Sequence, residues 1–347
     1  MPRAQIRALR PVTALLAGSL IGLVGLGLSA CSGQSGSDRP SGALTVACAG
    51  SQSWCQELVT AFQTKTGVET SFVQASDDPA AWPAAGQADV WHGASGSALA
   101  QAQTAGRLEA YRSPQANDLP AEVKSADGWW SGVNADPIGF CSNRTILDEL
   151  GLALPQSWDD LLQPQLTGQI VLAHPAQSVT AYQALWSLSQ LRGQTQGALD
   201  YMRSLDPSVL RYVGDDQAAL TAVQSGQAAV TWALASTCSQ VAVDRPDLTW
   251  TPPSDGVAVE LTGVAVLAGS ANPKAAQAYV DWALTAEAQN LALGQGDLRL
   301  PTCPQAELVA SLPPLRLLKL VPADPTAAEA ARADLLTSFT AEIAAAP

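Results

Sequence analysis

Ala43–Gln74 reads ALTVACAGSQSWCQELVTAFQTKTGVETSFVQ, and its three parts decide the fold class. ALTVACA is a short apolar run bounded by glycine, the pattern of a buried strand. From Trp54 to Thr64, the residues Trp54, Leu58, Val59 and Phe62 fall on one helical face, and Gly67 fits the position that ends a helix. Val68–Gln74 predicts a second strand. A strand, a helix and a strand joined by short loops form the unit of an α/β lobe with a mainly parallel sheet.

The pattern continues downstream. Ala88–Trp91 predicts a third strand, followed by a small-residue loop over His92–Ser97 and a helix from Ala98 to Ala105. PIGFCS, Pro137–Ser142, reads as a strand. Ser157-Trp158-Asp159-Asp160 has the form of a capping box opening a helix. Strands are expected at Gln169–Ala173, Gln227–Leu234 and Val257–Ala268, the last broken at Thr262-Gly263. Helices are expected at Thr180–Leu191, Asp216–Ser225, after Asn272-Pro273, and over the Ala-rich tail from Pro325 to Ile343.

Upstream of Ala43 the chain changes character. Arg3, Arg7 and Arg10 precede an uncharged apolar run from Val12 to Leu28, which ends in Leu28-Ser29-Ala30-Cys31. That is a secretory signal with a cysteine just after the cleavage site. It resembles the bacterial lipobox, which implies a signal over residues 1–30 and a lipid on Cys31. Ser32–Gly42 has no apolar side chain and reads as a flexible tether.

Composition narrows the function. The chain has 347 residues, 47% of them hydrophobic, enough for one large domain or two medium lobes. Its formal net charge of -13 argues against nucleic acid as a partner, which needs basic residues facing phosphates. Beyond Cys31 there remain Cys48, Cys55, Cys141, Cys238 and Cys303, and export to an oxidising compartment makes pairing the default. Cys48 with Cys55 is the best pair, because the two bracket the loop after the first strand. The pairing of the other three stays open.

Constellations for catalysis are missing. With His92 and His174 as the only histidines, and no paired C-x-x-C, a metal site has no sequence support. No G-x-S-x-G elbow or Walker A motif occurs. The carboxylate pairs Asp77-Asp78, Asp159-Asp160 and Asp215-Asp216 read as charge at helix starts. No cofactor is expected, and the chain reads as a non-enzyme. Trp54, Trp91, Trp129, Trp130 and Trp232 flank expected loops or strand ends, where large aromatics can line a ligand cleft or simply pack in a core.

Five segments together carry a resemblance: ELVTAFQTKTGVE (57–69), ADVWHGASGSALAQAQTAGRLEAY (88–111), ADPIGFCSN (135–143), LPQSWDDLL (154–162) and ELTGVAVLAGSANPKAAQAYVDWAL (260–284). In this order they resemble bacterial periplasmic-type solute-binding proteins of ABC importers. The nearest branch is the ferric-iron-binding group, whose relatives also take phosphosugars, phosphonates, thiamine and polyamines.

The resemblance implies a two-lobed type II binding-protein fold, α/β, with a hinge and a ligand clamped between lobes. Residues 43–135 and 257–300 are expected in lobe 1, and 136–256 and 301–347 in lobe 2. It implies a monomer that hands its solute to the permease and ATPase subunits of an importer. A module serving a signalling receptor, or a secreted two-lobed enzyme, is the alternative. By the same resemblance the ligand contacts are expected among Ser51, Trp54, Trp91, Gly93, Ser95, Trp129, Ser178, Thr180, Trp232, Ser236 and Thr262. Ser178-Val179-Thr180 would present a helix N-terminus, which suits an anionic group, although simple N-capping would look the same. Ferric-binding members carry two adjacent tyrosines after the strand that here reads AAVTWAL. This chain continues Ala235-Ser236-Thr237-Cys238, so Tyr-coordinated iron is not expected and a small organic solute is.

Overall fold

Leu44–Cys48 (β1), Gln52–Thr66 (α1) and Thr70–Gln74 (β2) realise the opening stretch, with β1 and β2 parallel and Leu44 opposite Thr70. The Ser51 side chain caps α1, and Gly67 ends it in the left-handed region at φ 79°. The computed structural model describes residues 42–345 except Ala85, Ala310 and Ala323. The signal, Cys31 and the tether through Ser41 lie outside the described residues.

The chain continues with β3 (Val90–Ser95), α2 (Gly96–Thr104), β4 (Leu108–Glu109), β5 (Ser131–Asn143), α3 (Arg144–Glu149), β6 (Ile170–Ala173) and α4 (Val179–Leu191). Then come α5 (Thr195–Leu205), β7 (Val209–Val213), α6 (Asp216–Gln224), β8 (Val230–Leu234), α7 (Ala235–Ala242) and β9 (Leu248–Thr251). The last elements are β10 (Val259–Leu267), α8 (Pro273–Ala283), α9 (Ala286–Gly294), β11 (Leu300–Pro301) and α10 (Pro325–Glu342).

Two expectations change for physical reasons. The small-residue stretch His92–Ser95 is strand, because β10 runs antiparallel to β3 and pairs Thr262 with Ser95. Gly93 makes that possible. At φ 84° it lets the backbone pass Ala49 so closely that a Cβ would lie 2.5 Å from the Ala49 carbonyl oxygen. The capping box at Ser157 and Asp160 forms, but the turn it opens is a short 3-10 helix over Trp158–Leu162. Pro164 follows at once and holds Gln163 extended, so no α-helix can propagate.

The sheet runs in the order β2-β1-β3-β10-β5-β8-β6-β7, and β5 is where its two halves meet. Residues Ser131–Pro137 of β5 pair with β10, while Ile138–Ser142 pair with β8 and Phe140–Asn143 with β9. Each half carries its own core. Leu44, Val46, Phe62, Trp91, Leu99, Val264 and Tyr279 belong to the first. Ile138, Phe140, Trp158, Leu172, Leu185, Met202 and Trp232 belong to the second. Leu300, Leu312 and Leu315 remain with the first core, and α10 joins the second through Ala328, Leu335 and Phe339. A third passage between the halves lies beside the start of β10. There Val257 donates to the Lys319 carbonyl at 2.8 Å and Val321 donates back to Val257 at 2.9 Å.

Cys48 and Cys55 are joined, with Cα atoms 5.9 Å apart. Cys141 and Cys238 are joined as well, tying β5 to α7, and Cys303 is a buried free thiol.

Candidate functional site

A cavity of about 400 Å3 opens where β5 changes partners. Pro137 is the last residue before that change, Asp136 stands next to it, and Glu260 of β10 is the direct antiparallel partner of Asp136. The next pair on the same face is Asn134 with Thr262, whose hydroxyl donates to Asn134 Oδ1 at 2.5 Å. Asp136, Glu260 and Thr262 therefore form one wall, because alternate residues of a strand share a face. Ser95, Gly96 and Ser97 at the start of α2 supply a second side, together with Asp77. Val179 and Gln183 of α4, and Leu234 and Ser236 at the start of α7, line the side belonging to the second core. Arg299, just ahead of β11, and Pro325, the first residue of α10, complete it.

Local hydrogen bonds fix this wall. Asp136 accepts from the Ser236 backbone at 3.0 Å and from the Ser236 hydroxyl, so the carboxylate sits on the N-terminus of α7. Thr180 donates to Glu260 Oε1 at 2.7 Å. Asp77 accepts from the Ser95 backbone at 3.0 Å. Arg299 is gripped by Asp297 through Nε at 2.9 Å and Nη2 at 2.5 Å, and reaches Thr262 Oγ1 at 3.4 Å.

The electrostatics are those of crowded acids. Burial pushes the Glu260 carboxyl up to about 7, Thr180 pulls it down, and nearby Asp136 and Asp216 raise it further against Arg299. Burial also raises Asp136, although both Ser236 hydrogen bonds and Arg299 oppose this. Arg299 is held more firmly protonated: burial works against its charge, but Asp297, Asp136 and Glu260 outweigh that.

Glu260 makes stability depend on pH. Its carboxyl titrates near 4.5 in the unfolded chain and near 7 when folded, so the folded state binds more protons between those values. The stability it supports is complete below about 4.5 and is lost as pH rises through about 7. Glu260→Gln keeps the acceptor for Thr180 and removes the charge. Equilibrium denaturation should find this variant about 3 kcal/mol more stable than the parent at pH 8 and little different at pH 4. Equal differences at both pH values would refute it.

Of the residues expected at the site, Ser95, Ser236 and Thr262 line the cavity. Thr180 stands behind it, bonded to Glu260. Ser178 caps α4, accepting from Ala181 at 2.9 Å, and gives its proton to Asp216 at 2.6 Å. The face that α4 turns to the cavity is thus Val179, 52% exposed, with Gln183.

The remaining expected residues lie elsewhere. Trp91 is buried in the first core, 5.7 Å from Trp82, and Trp232 in the second, edge-on to Trp158 at 5.3 Å. Trp54 and Trp129 pack half-buried on the first core. Ser51 is an exposed helix cap, and Gly93 serves the backbone approach to Ala49.

Asp77, Asp136, Gln183, Glu260 and Arg299 were not anticipated. A signal existed for two of them. Asp136 interrupts the apolar ADPIGF, and Glu260 opens the apolar ELTGVAVLAG; a charge inside a buried strand needs a reason.

Residues 87–326 match the family described as bacterial extracellular solute-binding protein. The chain belongs to that family. A Haemophilus influenzae relative, an uncharacterized protein, is 32% identical over 275 residues, covering 76% of this chain and 79% of its own. Among solved structures, the periplasmic binding protein AfuA from Actinobacillus pleuropneumoniae, with exogenous fructose-6-phosphate bound, is similar. It is 30% identical at a TM-score of 0.64, over 87% of this chain and 98% of AfuA. Iron-bound HitA from Pseudomonas aeruginosa shares the fold at a TM-score of 0.65 and 23% identity, over 86% of this chain and 99% of HitA. This solute-binding protein therefore has the two-lobed type II fold, with the cavity at the strand that belongs to both halves. As a family member it serves an ABC importer and takes its solute outside the cytoplasm. Among the described residues, no helix is long and apolar enough to cross a membrane.

Proposed function

We propose that this solute-binding protein captures a small polyhydroxylated solute, a sugar phosphate or a sugar-like polyol, in the cavity at Asp136 and Glu260. The observation that carries this is the charge balance of the wall. Three carboxylates, Asp77, Asp136 and Glu260, face one guanidinium that Asp297 already grips. Carboxylates take hydroxyl donors well, whereas a bare anion would meet mostly negative charge. A phosphate could join only beside Arg299 and Ser97, with the hydroxyls on the acids. The fructose-6-phosphate bound to AfuA supports a solute of this class. The anionic site expected at α4 loses support, since the Ser178 hydroxyl is engaged by Asp216 and Thr180 by Glu260. Ferric iron is disfavoured because, among the described residues, no tyrosine lines the cavity.

In this reading the first lobe comprises residues 43–135 and the chain from Val257 to Leu318, and the second comprises 136–256 and α10. They close by a hinge at the strand passages. Lipid on Cys31 keeps the receptor beside the permease, and the tether lets it reach. Loss of membrane association in Cys31→Ser, with solute affinity unchanged, would be the sign of that anchor.

The solute is tested by thermal shift with sugar phosphates, the matching free sugars, polyamines, phosphonates, inorganic phosphate and ferric citrate. A hydroxylated solute at a hundred times its dissociation constant should add about 2.7 kcal/mol. A shift with ferric citrate or inorganic phosphate alone would overturn the reading.

A further inference from the structure

We propose that Asp136 and Glu260 act as one proton-holding pair, so that the empty cleft carries a single negative charge on the two residues and offers a solute a hydrogen-bond donor as well as an acceptor. This rests on the cleft being the solute site. It begins with register. Asp136 and Glu260 are directly opposed across β5 and β10, and opposed residues of an antiparallel pair project to the same face with Cβ atoms about 5 Å apart. Like charges there repel, and the enclosed setting strengthens the repulsion.

The neighbours decide where the proton resides. α7 gives Asp136 two donors, the backbone N–H and hydroxyl of Ser236, both of which stabilise the ionised form. α4 gives Glu260 one donor, Thr180 to Oε1, and among the described residues no donor is bonded to Oε2. From α6, Asp216 adds negative charge to the Glu260 side. Arg299 opposes these acids, but Asp297 holds two of its nitrogens. The proton therefore belongs on Glu260 Oε2, and the ionised charge on Asp136. The upward displacement of Glu260 to about 7 agrees with that placement.

The consequence is selective. A hydroxyl can donate to Asp136 while accepting from protonated Glu260, which a paired set of two carboxylates could not offer. An ammonium group would instead expel the proton. Above neutrality the pair carries two charges, and a solute with an anionic group is held less tightly.

The test needs no solute. Carboxyl 13C resonances of the ligand-free protein are followed from pH 4 to 9, with Glu260 identified by its loss in Glu260→Gln. The Glu260 midpoint should lie near 7, fall by about one pH unit in Asp136→Asn, and rise in Arg299→Gln. A midpoint in the ordinary carboxylate range, or one unmoved by both substitutions, would overturn the pair. Because no solute is present, that result leaves the solute class standing. Failure of the solute screen likewise leaves this titration to be read.

Discussion

Asp136→Asn should lower solute affinity about 10- to 100-fold while leaving the fold as stable as before or slightly more so. The affinity loss follows from removing one charged hydrogen-bond acceptor from the wall, worth about 1.5–3 kcal/mol. The stability expectation rests on competing effects at this residue. Two donors from Ser236 favour the carboxylate, yet burial wins and raises its pKa. A buried charge whose desolvation exceeds its hydrogen bonding costs the folded state free energy. Asn keeps an acceptor for the Ser236 N–H and removes that cost. Residues retained against stability cluster at functional sites. Calorimetric binding of whichever solute the screen identifies, beside thermal melts at pH 8, separates the two quantities. A lower melting temperature with unchanged affinity would make Asp136 a structural brace for α7.

Removing the Cys141–Cys238 bridge should cost about 4–5 kcal/mol, roughly twice the cost of removing Cys48–Cys55. The bridged residues are 97 apart in one case and 7 in the other, and the entropy taken from the unfolded chain grows with the logarithm of that length. Against a typical total stability of about 5–15 kcal/mol, the longer bridge decides whether the second half folds robustly. It also fixes the helix that caps Asp136, so solute affinity should fall with it. Urea denaturation of Cys141→Ala/Cys238→Ala beside Cys48→Ala/Cys55→Ala measures the order directly. The reverse order would mean that strain in the folded state outweighs chain entropy.

Much of this molecule was legible before folding. The strand–helix–strand unit at Ala43–Gln74, the Gly67 terminus, the Asn272-Pro273 start and the Cys48–Cys55 bridge all rest on neighbours in sequence, where 3.6- and 2-residue periods and cap chemistry act locally. Ser95 reached the cavity because it ends β3, Ser236 because it follows the end of β8 at the start of α7, and Thr262 because it pairs with Ser95 from within β10. The tryptophans did not separate. Trp91 and Trp232 sit at strand positions whose side chains turn to the cores, and nothing local distinguishes a core face from a cleft face there.

Other features were decided only by the tertiary structure. Which of Cys141, Cys238 and Cys303 pair depends on α7 folding back on β5. The strand identity of His92–Ser95 depends on β10 arriving beside it. The site's charges belong to the same class. Asp136 and Glu260 are 124 residues apart, and Arg299 follows later still. Each alone reads as a single charge within or beside an apolar strand. Cross-strand register places the two acids face to face, and the switch of β5 from one half-sheet to the other opens the cavity before them. Local sequence determined that this chain would be an α/β protein with a strand at Pro137 and another at Val257. Long-range pairing determined that those strands would meet with their carboxylates opposed, because register is a relation between segments that neither segment contains.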